Sequence, residues 1–163
     1  MKLIDSTAEI LAFKVLNRNI DKRWVNWATD MLMSGFDTEN LIILAGEQVP
    51  YNQFELIGLT NKIFDELNID LSDDDTIIKK YACYLINKAL TGEMQADDVL
   101  NILKVLCIEL DYDRNLYDFY LLYFAKEDLK YSDNQWYWNG ADKANINTII
   151  YDYFVGWKQN CSN

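Results

Sequence analysis

The chain is 163 residues long, half of them apolar and 14% aromatic, so it is of one-domain length and rich enough in core formers to fold. It carries 26 acidic residues against 15 basic ones and no histidine. The formal charge of −11 disfavours nucleic-acid binding, which needs clustered Lys and Arg, and the missing imidazole excludes Ser-His-Asp triads, Cys-His pairs and His-bearing metal sites.

One proline and six glycines leave few breakers, and the apolar period is helical throughout. Ser6 is placed to cap a first helix with Ile10, Leu11, Phe13 and Leu16 on it. Asp21 opens a second, with Trp24, Ala28, Met31 and Leu32 on one face and Gly35 just past its end. Asp37 is read as the cap of a third over Glu39–Ala45, and its run Leu41-Ile42-Ile43-Leu44-Ala45 is apolar on all sides, which predicts burial. After Pro50, Asn52-x-x-Glu55 has capping-box spacing and starts a helix with Leu56, Leu59, Ile63 and Leu67 in register.

Ser72-Asp73-Asp74-Asp75 precedes a fifth helix carrying Ile78, Tyr81, Ala82, Leu85 and Ala89, with Gly92 at its end. Ala96-Asp97-Asp98 begins a sixth, with Val99, Leu103, Leu106 and Leu110. A seventh, from about Arg114 to Asp128, contains the nearly all-apolar run Phe119–Ala125 and reads as central. Lys130 to Lys143 interrupts the period and holds Trp136-Tyr137-Trp138, an ordered aromatic loop. The last helix, from about Ala144 to Lys158, turns Ile146, Ile149, Ile150, Tyr153, Phe154 and Trp157 inward. The expectation is an all-α fold: residues 1–163 as a single-domain bundle of about eight helices, mostly antiparallel helix pairs.

No C-x-x-C pair is present among Cys83, Cys107 and Cys161, so no thioredoxin-like or zinc-knuckle motif is indicated. Reduced thiols, an N-terminus without a signal-peptide core and the absence of any membrane-length apolar run point to a cytoplasmic protein. No phosphate-cradling glycine loop and no cofactor motif can be built from the dispersed glycines.

Two acidic clusters carry what chemistry remains. Asp111-x-Asp113-x-Asn115 begins like a calcium loop, but Leu116 stands where the glycine belongs and Leu122 where the bidentate Glu belongs, so an interhelical turn is the better reading and no metal site is assigned. Asp73, Asp74 and Asp75 suit a helix N-terminus and also present a concentrated negative charge. A carboxylate pair could serve as acid and base, though no spacing singles one out.

The stretch Trp24-x-x-Trp27-Ala28-x-x-Met31-Leu32-x-x-Gly35-x-Asp37-Thr38-Glu39-Asn40-Leu41, continuing through Tyr51-Asn52-x-Phe54-Glu55, together with Tyr120 to Trp138 and the closing Tyr153 and Trp157, resembles a group of small uncharacterised helical bacterial proteins. Some of these look like immunity partners of secreted antibacterial toxins. The resemblance implies a binding role and brings no catalytic residues. It agrees with the charge, since an acidic surface favours encounter with a basic partner.

The sequence therefore points to a non-enzymatic acidic binding protein, an immunity-type inhibitor of a basic toxin or other basic protein. The expected partner-binding residues are Asp73, Asp74, Asp75, Asp111 and Asp113 for electrostatics and Trp136 and Trp138 as apolar anchors. The alternatives are a small paired-carboxylate enzyme and a self-associating scaffold subunit. No cofactor, nucleic-acid or membrane partner is expected, and the oligomeric state is left open.

Overall fold

The structure is a computed structural model and describes residues 1–161. Among them are eight helices and no strand: α1 Thr7–Val15, α2 Lys22–Met33, α3 Glu39–Ala45, α4 Gln53–Glu66, α5 Asp74–Leu90, α6 Ala96–Glu109, α7 Tyr117–Leu129 and α8 Ile146–Gln159. No described helix is long and apolar enough to cross a membrane. The chain divides into two compact units, Met1–Tyr84 and Leu85–Asn163, with the boundary inside α5.

In the first unit, consecutive helices pack in turn: α1 on α2, α2 on α3, α3 on α4. Asp21 caps α2 as its pattern requires, accepting from the Arg23 amide at 2.9 Å. The helix closes on Gly35, whose φ of +102° lets the Phe36 amide return to the Met31 carbonyl and the Gly35 amide to that of Leu32. Asn52 caps α4 through the Glu55 amide. The core is built on Trp24, Trp27 and Phe64, with Phe13 edge-on to Tyr81 at 5.9 Å.

Three expectations are corrected here. Ser6 stands at the N-cap of α1 but is already helical in backbone, and its side chain makes no capping bond. Thr38, not Asp37, caps α3: it is the residue in extended backbone, and its hydroxyl accepts from Leu41. The apolar run of α3 is only half buried. Leu41 and Leu44 are fully covered, whereas Ile42 and Ile43 are 54% and 45% exposed. A seven-residue helix packed on α2 along one side hides one stripe, and the intervening isoleucines are left outside.

In the second unit α6 packs on α7 and α7 on α8. In the α7 run Phe119, Leu122 and Ala125 are fully buried, and Tyr120, Leu121, Tyr123 and Phe124 are half-buried. Helix α7 starts at Tyr117 rather than Arg114, and α8 at Ile146 rather than Ala144. Asp111 and Tyr112, both with positive φ, reverse the chain between α6 and α7, so the calcium-like segment is a turn, with Asp113 accepting from the Asn115 amide at 2.8 Å. Cys107 is a free, buried thiol. Cys83 and Cys161 are not free thiols, so the argument from reduced cysteines does not hold.

Candidate protein-interaction surface

The expected contact residues divide between the two units. In the first, Asp73 closes the N-terminus of α5, accepting from the Thr76 amide at 3.0 Å and the Thr76 hydroxyl at 2.7 Å. Those bonds, the hydroxyl first, hold its carboxyl below the ordinary aspartate range. Asp70 is lowered in the same way by Ser72, whose amide lies 2.8 Å from it. Asp74 and Asp75 occupy the exposed first turn of α5.

Asp111, Asp113, Trp136 and Trp138 belong to the second unit. Asp111 is exposed and Asp113 half-buried, its side chain engaged in its own turn. The aromatic loop is organised by one side chain, Gln135. Its amide nitrogen donates to the carbonyls of Trp138 and Ala141, and its oxygen accepts from the amides of Tyr137 and Trp138 at 2.8 Å each. The two tryptophans part company on this scaffold. Trp138 is half-buried, edge-on to Tyr153 at 5.7 Å, whereas Trp136 is 92% exposed.

Tyr153 in turn donates to Asp118 at 2.9 Å. Burial first, then the bond to Asp118, push its phenol above the usual range. Along α7, Tyr117 stacks on Tyr120 at 5.4 Å, Tyr120 meets Phe124 at 4.8 Å, and Phe124 meets Tyr137 at 5.6 Å, forming a continuous row of rings.

A further feature lies in the first unit and was not anticipated. Helices α3 and α4 border an open groove of about 610 Å³. Its apolar lining includes Ile43, Phe54, Ile57 and Leu59, and Glu47, Glu55 and Lys62 supply its charges. Phe54 is 89% exposed and Ile57 47%. Val49, in the loop between the two helices, is exposed as well.

The charge is uneven along the chain. Between Trp24 and Ile78 the sequence holds eleven acidic residues and a single base, Lys62, a net of −10. The remainder carries fifteen acids against fourteen bases, so nearly all of the −11 resides in this one segment. Ion pairs that lie outside it include Arg23 with Asp21 and Glu9, Lys126 with Asp97, Lys130 with Glu127, and Lys143 with Asp133. Counting charge along the chain finds the segment; local acidic clusters single out only Asp73 to Asp75 within it.

No family model, curated protein or solved structure matches the chain.

Proposed function

We propose that the protein is an acidic binding protein that engages a basic protein, of the immunity type in which an inhibitor covers a toxin's cationic surface. The observation that carries this reading is the segregated charge. Residues 24–78 carry a net of −10, and none of the ion pairs named above engages an acid of this segment, so its charge is available to an external partner. A field of this kind raises the rate of encounter with a cation and is screened by salt. The chain brings no histidine and no cofactor motif, and the proposed role asks for no bond-making chemistry. A cytoplasmic location belongs to the same proposal, but with Cys83 and Cys161 not free it gains no support from the cysteines, and the binding role does not depend on it.

The test is affinity capture from the native host with the full chain as bait, at low and high salt. Recovery of a basic protein at low salt, lost at high salt, is the expected outcome. Recovery of acidic or neutral proteins only, or of nothing at either salt, would overturn the reading.

A further inference from the structure

We infer that the groove between α3 and α4 is the docking site for a cationic amphipathic helix of the partner protein. The inference rests on the binding-protein reading above and adds where contact occurs and what the occupant looks like.

Three observations converge on this place. The first is apolar exposure without local cover: Ile43, Phe54 and Ile57 line the groove and stand open to solvent. The second is charge. Glu47 and Glu55 border the groove against a single base, Lys62, and the segment that contains it holds nearly all the net charge of the chain. The third is Gly58, which also lines the groove and lies inside α4. A Cβ built there would meet nothing within 4 Å, and its backbone is ordinary helix, so the fold does not require a glycine. Its absent side chain leaves room for another backbone to approach closely.

The charge selects the occupant. A second copy would bring two segments of net −10 together, and nucleic acid or an anionic bilayer would be repelled as well. A partner strand would find no strand edge among the described residues to pair with. A helix laid into a groove between two helices needs only an apolar stripe for Phe54 and Ile57 and lysines or arginines beside it for Glu47 and Glu55. The exposed neighbours on α4 run over a helix of 14 residues, roughly 21 Å long, so about four turns of a docked helix can be accommodated.

The experiment is a titration of the ¹⁵N-labelled full chain, followed by amide shifts, with three synthetic helical peptides. One has leucines on one face and lysines on the other; its twin has glutamates for the lysines; the third has the leucine and lysine order scrambled so that no face forms. The inference expects the leucine–lysine peptide to bind best, with shifts confined to α3 and α4 and centred on Ile43, Phe54, Ile57 and Gly58. Added salt weakens that binding, and Phe54→Asp, at a position already in water, weakens it about tenfold or more. Equal binding by the glutamate twin or the scrambled peptide, shifts centred on other helices, no binding, or shifts that grow with protein concentration alone would each overturn it. The two proposals fail separately. A basic protein captured equally well by Phe54→Asp bait removes the groove and leaves the function, whereas specific peptide docking with no basic protein in the host removes the function and leaves the groove.

Discussion

The indole nitrogen of Trp27 donates to the Thr7 hydroxyl at 2.9 Å, and both side chains are buried. The same hydroxyl is turned towards the Met31 sulfur at 3.9 Å, so the bond joins α1 to α2 inside the core. Trp24, one turn earlier on α2, is equally buried, but its indole nitrogen has no hydrogen-bond partner among the described residues. Both rings lie at similar distances from Phe64, 6.2 Å for Trp27 and 6.3 Å for Trp24. Phenylalanine at either position removes similar ring volume from similar surroundings. Trp27→Phe also removes a buried hydrogen bond, while Trp24→Phe removes a buried donor that makes none. Urea denaturation should therefore show Trp27→Phe costing about 1–2 kcal/mol more than Trp24→Phe. Equal losses would mean that the Thr7 bond contributes nothing net.

Tyr81 gives the protein an alkaline limit. Burial first, with Glu9 adding to it, pushes its phenol up to about 12. In the unfolded chain the group ionises near 10. Below that pH both states hold the proton and the contribution is fully present. Between about 10 and 12 the unfolded chain releases it and the folded chain does not, so stability falls as pH rises, by on the order of 1.4 kcal/mol per pH unit for this group. Tyr81→Phe should flatten the decline without abolishing it, because Tyr153 is raised too. Denaturation curves at three pH values across this window decide the matter, and parallel slopes for wild type and variant would remove Tyr81 as the cause.

Asp73 is both a helix cap and a member of the acidic segment, and two substitutions separate the roles. Asp73→Asn keeps an oxygen for the Thr76 amide and discards the charge; Asp73→Ala discards both. Hydrogen exchange at the first-turn amides of α5 should stay slow in the Asn variant and quicken in the Ala variant. The wild-type cap should weaken on acidification: its carboxyl titrates below the usual range, so its contribution is present above that range and lost as pH falls through the lowered value. Association with the leucine–lysine peptide should slow equally in both variants if the charge steers encounter. Wild-type association by Asp73→Asn would leave Asp73 as a cap alone.

Helix identity was legible because apolar period and punctuation agree in this chain. Asp21, Gly35 and Asn52 hold the positions their patterns require, and Glu39–Ala45 forms the helix expected of it. What the pattern could not supply was coverage. Ile42 and Ile43 are as apolar as Leu41 and Leu44, and only the placement of α2 and α4 decides which two face solvent. The same holds for the tryptophans of the loop. Trp136 and Trp138 are equivalent in sequence, and the four bonds of Gln135, a residue with no prior claim to attention, accompany one half-buried ring and one exposed ring. The charge segregation needed no structure, only a longer window than a run of three acids.

Gly58 and Gly156 supply a matched pair for the groove. Each lies inside a helix, α4 or α8, and at neither would an added Cβ meet anything within 4 Å. Alanine in place of a helical glycine stabilises by about 0.5–1 kcal/mol, so Gly58→Ala and Gly156→Ala should raise the urea midpoint by similar amounts. Their effects on binding should differ. The methyl group added at position 58 stands in the wall of the groove and holds a docked helix away from α4, so the leucine–lysine peptide should bind severalfold more weakly. The methyl at position 156 is remote in sequence from the groove lining and should leave the affinity unchanged. Stabilisation by both substitutions with full affinity in both would show that the open backbone at Gly58 is not used for close approach, and that the occupant sits on Phe54 and Ile57 alone.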